Sequence, residues 1–124
     1  MANELILIVE DNEKNRKLVR DVLQFKGYRT VEAETGEDGV RLAREQRPAL
    51  VLMDIQLPGI DGITALGQLR ADPVTRGIPV LAVTASAMTH DRQKIMAAGF
   101  DGYQTKPIRV MEFLDAVRAV LDRP

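Results

Sequence analysis

The chain has 124 residues, 45% of them apolar and 28% charged, with a formal net charge of −1 and no cysteine. Such a length suits one domain with a genuine core, because a chain near this size buries roughly two-thirds of the surface it exposes when unfolded. The composition excludes disordered and fibrous classes, the charge leaves no footprint for direct nucleic-acid binding, and the lack of cysteine excludes disulfides and thiolate metal sites. Met1 to Ile6 lacks the basic region and apolar stretch of a signal peptide, and no apolar run approaches the roughly 20 residues that a membrane helix needs. The expectation is a cytoplasmic protein with no membrane contact, a single domain over residues 1–124 with no effector domain attached.

Leu5 to Val9 is an uninterrupted apolar run ending at Glu10, as expected of a strand buried on both faces of a parallel sheet. A helical pattern follows, with Leu18, Val22 and Phe25 one turn apart and Val19 and Leu23 likewise. Gly27 is placed to stop that helix in a left-handed turn. Arg29 to Ala33 is a weaker strand. Thr35 followed by Asp38 resembles a capping box that opens a second helix, which Pro48 ends. Ala49 to Met53 is a third strand closed by Asp54. Pro58-Gly59 marks a turn. Asp61 caps a third helix carrying Ile63, Leu66 and Leu69, and Asp72-Pro73 stops it. Pro79 to Val83 is a fourth strand ending at Thr84, and a fourth helix runs from about Thr89 to Gly99. Asp101 to Thr105 is a short fifth strand broken by Lys106-Pro107. The last helix carries one apolar stripe of Val110, Phe113, Leu114, Val117, Val120 and Leu121.

Five strands alternate strictly with five helices. That order predicts an α/β fold: a parallel sheet with helices on both faces, joined by right-handed crossovers. In such sheets ligands bind beyond the carboxyl ends of the strands, where strand order reverses. For the flavodoxin-like order 2-1-3-4-5, this point lies between the first and third strands. Four of the five strands end in a polar residue that a buried strand does not need: Glu10-Asp11, Asp54, Thr84 and Lys106. Three carboxylates in one crevice repel each other, and a hard divalent cation resolves the conflict. Mg²⁺ takes oxygen ligands and typically uses one or two carboxylates plus a phosphate. With no cysteine and a single His90, zinc is disfavoured. Acidic oxygens, a lysine and a hydroxyl together are an apparatus for holding and transferring a phosphoryl group, with a carboxylate attacking in line.

The segments Val9-Glu10-Asp11-Asn12, Met53 through Gly59, Asp61-Gly62, Val83-Thr84-Ala85 and Lys106-Pro107 stand in this order at these strand ends. In them the chain resembles the response regulator receiver domain, the CheY-like family, over nearly its whole length. The resemblance implies two-component phosphorelay. Asp54 would be the phosphoacceptor, supplied by a histidine kinase or a histidine phosphotransfer protein. Asp11 would ligate Mg²⁺ directly, Glu10 through a metal-bound water, and Gln56 through its backbone carbonyl. Lys106 would pair with Asp54 at rest and with the phosphoryl oxygen after transfer. Thr84 would swing its hydroxyl to the phosphoryl group, and Tyr103 would be the aromatic switch. Lys106-Pro107 would be a cis peptide. The face built from the fourth helix, fifth strand and fifth helix would bind the downstream partner. Asn12-Glu13, Asp54 to Pro58 and Ala85 to Met88 are most similar to single-domain regulators of bacterial cell division and polarity, the DivK type. Receiver modules of hybrid histidine kinases look similar. Glu10 departs from the commoner Asp.

Plainer readings stand beside these. Asp11 or Asn12 alone could be the N-cap of the first helix, Tyr103 alone a static core aromatic, and Lys106 alone a solvated charge. His90 reads as a solvated residue in the first turn of the fourth helix, and Met53, Met88, Met96 and Met111 as core or interface filler. A phosphatase of the haloacid dehalogenase type would need Asp-x-Asp after the first strand, which Glu10-Asp11-Asn12-Glu13 does not supply.

Overall fold

The computed structural model of the chain describes residues 3–85 and 89–122, with side chains from residue 92 onward in the second stretch. Met88 and the side chain of His90 lie outside the described residues. The elements in order are β1 (Leu5–Val9), α1 (Glu13–Phe25), β2 (Arg29–Ala33), α2 (Gly36–Gln46), β3 (Leu50–Asp54), α3 (Gly62–Ala71), β4 (Val80–Thr84), α4 (Thr89–Ala97), β5 (Gly102–Thr105) and α5 (Val110–Leu121). All strand pairs are parallel and the order is β2-β1-β3-β4-β5. The α/β architecture expected from the alternation is therefore the observed one, and it has the flavodoxin-like order. Chain reversal at β1 opens a crevice between the carboxyl ends of β1 and β3.

The two-residue repeat of a strand divides the core. Leu7, Val9, Val51, Met53, Val80 and Ala82 face one side and meet Ala65, Leu66 and Leu69 of α3 with Ile95 of α4. Ile6, Ile8, Leu50, Leu52 and Leu81 face the other side and meet Val19 and Leu23 of α1 with Phe113, Val117 and Val120 of α5. The central strands β3 and β4 are buried throughout, which is why they read as unbroken apolar runs. The edge strand β2 is only partly buried, and its sequence signal is correspondingly weak.

Several ends fall where local chemistry placed them. Thr35 caps α2 by accepting from the Asp38 N–H at 3.1 Å. Gly27, at φ 93°, closes α1, with its N–H donating to the Gln24 carbonyl at 3.0 Å and the Tyr28 N–H to that of Leu23 at 3.1 Å. Gly39 sits inside α2 because a Cβ there would come within 2.8 Å of Val9 Cγ2. Strand bounds differ from the sequence reading by one residue: β3 and β4 include Asp54 and Thr84, and β5 starts at Gly102.

The expected apolar stripes need two corrections. On α1, Val19 and Leu23 are buried, whereas Leu18 is exposed and Phe25 is 89% exposed. On α5, Val110 stands outside the core. Periodicity identifies two adjacent helix faces and does not tell which one a sheet covers. Of the methionines read as filler, Met53 is fully buried, while Met96 and Met111 are exposed.

The amino ends of the strands are tied by arginines. Arg70 donates to the Ile78 carbonyl at 2.6 Å and to the Asp101 carboxylate at 2.9 Å. Arg118 donates to Tyr28 Oη at 3.2 Å and to the Glu4 carboxylate at 3.0 Å.

Candidate functional site

β1 and β3 run side by side in parallel, so their carboxyl ends deliver Glu10, Asp11 and Asp54 to the same edge of the sheet. One carboxylate oxygen from each of the three lies within 4.8 Å of the others. Glu10 and Asp54 are buried, at 5% and 4% exposure, and Asp11 is exposed at the mouth.

Asp54 divides its two oxygens. Oδ1 accepts from the Gln56 backbone N–H at 3.0 Å, and Oδ2 accepts from Lys106 Nζ at 3.1 Å. The resting pairing of Lys106 with Asp54 is thus present. The lysine also contacts Glu10 Oε1 at the shorter distance of 2.7 Å. Glu10 Oε2 meanwhile accepts from the Asn12 N–H at 3.2 Å. Glu10 thus divides its oxygens between the lysine and the backbone of the next segment. Burial pulls the Lys106 ammonium toward neutrality, and its bonds to Glu10 and Asp54, with their charges, outweigh this and hold its pKa above the usual lysine value. The lysine is charged at neutral pH.

The competing readings of the β1 end separate cleanly. Asn12 is the N-cap of α1, its side chain accepting from the Asn15 N–H at 3.0 Å. Asp11 is left for other work.

The β3–α3 loop is held close behind Asp54. A Cβ on Gly62 would lie 2.5 Å from the Asp54 carbonyl oxygen, so only glycine fits there. The Gly62 N–H donates to the Ile55 carbonyl at 3.0 Å. Asp61 caps α3, its carboxylate accepting from the Thr64 N–H at 2.8 Å. The backbone and side-chain bonds from Thr64, with smaller help from Ile63 and Lys94, hold the Asp61 carboxyl below its usual pKa against a modest burial penalty. A lowered folded pKa means that the contribution is complete above the unfolded value and vanishes as the pH falls through the folded one. Asp61→Ala should therefore cost about 1 kcal/mol at pH 7, a gap that closes as the pH drops below about 4. Urea melts of both proteins across that range check this.

Thr84 is buried at the end of β4, and the Lys106 N–H donates to its carbonyl at 2.8 Å. Lys106-Pro107 is cis, as expected. Tyr103 on β5 is half-buried, with the Arg92 guanidinium carbon 4.8 Å from its ring centroid. Nothing in the spacing of the sequence pairs Arg92 with Tyr103, and a cation over a ring is found only once the helix is placed. Gln56 is exposed beside Asp54. All seven residues singled out from the sequence thus belong to β1, β3, β4 and β5 or to the segments that directly follow them.

Comparison with known proteins follows the same line. Residues 6–118 match the response regulator receiver domain family. The chain is 45% identical over 116 residues to the polar-differentiation response regulator DivK of Brucella anthropi, covering 94% of each. Among solved structures, it superposes on the receiver domain of a sensor histidine kinase from Pseudomonas aeruginosa with a TM-score of 0.91 and 34% identity, covering 98% of this chain and 100% of that one. That domain was solved with a magnesium ion coordinated in its active site cleft. A putative response regulator from Chloroflexus aurantiacus gives a TM-score of 0.93 at 30% identity, covering 98% and 99%. With its fold, its acidic crevice and its sequence all agreeing, the chain belongs to the response regulator receiver domain family of two-component signalling.

Proposed function

We propose that Asp54 accepts a phosphoryl group from the phosphohistidine of a histidine kinase or a histidine phosphotransfer protein. The observation that carries this reading is the buried Asp54 carboxylate, held between the Gln56 N–H and the Lys106 ammonium, with two further carboxylates within 4.8 Å. The donor set fits Mg²⁺: every candidate ligand is an oxygen, and the spacing suits one hard cation. Asp11 and Asp54 would hold it directly, with the Gln56 carbonyl, and Glu10 through a bound water. When bound, the metal neutralises charge on the oxygens of the transferring group.

The chain's own residues do the rest. The Gln56 N–H fixes one Asp54 oxygen, which leaves the other to attack phosphorus as the phosphorus–nitrogen bond of the donor breaks and its imidazole leaves with the electron pair. Lys106 is already within reach of that oxygen, and it moves to the phosphoryl oxygens as charge builds there. Glu10, its second partner, keeps it aimed during the exchange. The protein acts as a phosphoacceptor switch rather than as an enzyme that turns over external esters. Intact mass after acetyl phosphate plus Mg²⁺ tests this: the protein should gain one phosphoryl group, mapped to Asp54. An unchanged mass, or a label elsewhere, refutes it.

The signal then travels along β4 and β5. Thr84 turns its hydroxyl to the phosphoryl group and vacates space that the Tyr103 ring enters, repacking α4, β5 and α5 into the surface that binds a downstream protein. A beryllofluoride mimic should shift amide resonances throughout residues 84–113 and leave those of β2 near their resting values. Likeness to the polar-differentiation response regulator DivK supports a role in polarity or cell division. The 45% identity to DivK over 94% of each chain supports the DivK-type reading.

A further inference from the structure

The geometry points to Arg16 as the residue that positions Glu10 and Asp11 for the metal, an inference that rests on the magnesium reading above. Arg16 lies on the first turns of α1, and its side chain is only 14% exposed. Its Nη1 donates to the Glu10 backbone carbonyl at 2.9 Å and reaches that of Asp11 at 3.5 Å. Its Nε donates to Glu32 of β2 at 3.1 Å, and its Nη2 lies 3.4 Å from the Glu34 carboxylate.

An arginine that merely tied α1 to β2 would need Glu32 alone. Here one edge of the fork engages the glutamates and the other engages the peptide carbonyls of the two residues whose side chains face the crevice. The β1–β2 pairing ends at Val9 and Ala33, and the last ladder bond is the Glu10 N–H to the Ala33 carbonyl at 3.0 Å. Beyond that bond the sheet no longer fixes the peptide planes, and those planes set the directions of the Glu10 and Asp11 side chains. Three like charges within 4.8 Å would spread apart wherever the backbone allowed it. Arg16 removes that freedom by holding the Glu10 and Asp11 carbonyls. Glu34, together with Glu32, which also pairs with Arg20 at 3.3 Å, offsets its charge and so lessens its repulsion of a cation.

Arginine is needed because its rigid planar fork serves all of these acceptors at once, whereas a lysine carries a single nitrogen on a flexible stem. Arg16→Lys keeps the charge and loses the fork. Residues that orient metal ligands typically change metal affinity by about 10–100-fold when replaced. Titration of metal-free protein with MgCl₂ in a calorimeter, at fixed ionic strength, should therefore give binding about tenfold weaker in Arg16→Lys and at least as weak in Arg16→Ala. Backbone amide shifts of residues 10–12 should move in both metal-free variants. Saturating Mg²⁺ should restore the labelling rate of Arg16→Lys, because the reacting groups are untouched.

Arg118→Gln is the control for general destabilisation, since it cuts contacts to Glu4 and Tyr28 at the opposite end of the sheet. It should leave magnesium binding unchanged. If both Arg16 variants bind the metal as the original does, or if Arg118→Gln weakens binding equally, the positioning role is overturned. Asp11→Asn separates the two levels. Its retaining full magnesium affinity would sink the metal site and the Arg16 role with it, whereas its loss alongside intact binding in both Arg16 variants would sink the Arg16 role alone.

Discussion

Asp54→Asn will take up no phosphoryl group from acetyl phosphate and Mg²⁺, and Lys106→Met will take it up about 10²–10³ times more slowly than the original protein. The first result follows from nucleophilicity. An amide oxygen carries no charge to drive attack on phosphorus, and Glu10, the nearest other buried carboxylate, is already engaged by Lys106 and the Asn12 N–H. The second follows from the position of Nζ, 3.1 Å from the attacking carboxylate. A preorganised cation there stabilises the charge that builds in the transition state, and a thioether cannot. Lys106→Met should still bind Mg²⁺ at least as tightly, because the ammonium is a competing cation among the same carboxylates. Mass spectrometry over time, at several metal concentrations, reads both effects. A variant that labels normally would remove the lysine from the mechanism.

The same Asp54→Asn change should raise the melting temperature of the metal-free protein. At an effective dielectric constant near 20, the lysine attraction at 3.1 Å is worth about 5 kcal/mol to Asp54. Repulsion from a carboxylate at 4.8 Å, the outer limit of the spacing, costs about 3.5 kcal/mol, and there are two of them, with Asp11 screened by its exposure. These terms nearly cancel. The balance is decided by desolvation, because Asp54 is only 4% exposed and burying a carboxylate costs several kcal/mol. Asparagine escapes that cost, can still accept from the Gln56 N–H, and leaves Lys106 paired with Glu10. A gain of about 1–2 kcal/mol, or about 3–8 °C, is expected by calorimetry without metal. Added Mg²⁺ should stabilise the original protein more than the variant. A lower melting temperature for the variant would mean that the lysine pairing outweighs desolvation and repulsion together.

Much of this architecture could be read from the sequence, for physical reasons that differ between elements. β1, β3 and β4 were plain because strands covered on both faces are apolar at every position, and such runs are short enough to exclude helices. The site is plain because Glu10, Asp54 and Thr84 interrupt that pattern at its ends, where polarity has no structural purpose. α1 was half read. Leu18, Val22 and Phe25 form as regular a stripe as Val19 and Leu23, and only the placement of the sheet leaves Phe25 in water. The double pairing of Lys106 is not legible in the sequence. It depends on the lysine's approach to both carboxylates from beyond β5, a placement that only the fold gives. Arg16 escaped for a related reason: its acceptors are backbone carbonyls, which carry no letter in a sequence.

The arginine ties beneath the sheet have a consequence for how such a molecule can be reused. Arg70 and Arg118 bind the lower margin shut, as a spine binds pages, while the opposite margin carries the acidic crevice with Lys106. On the proposed phosphoacceptor switch, each round of signalling would ruffle the open margin without loosening the spine, and the domain would return to rest without having to refold. Hydrogen exchange should record this as a gradient, slowest at residues near the spine and fastest along the fore-edge.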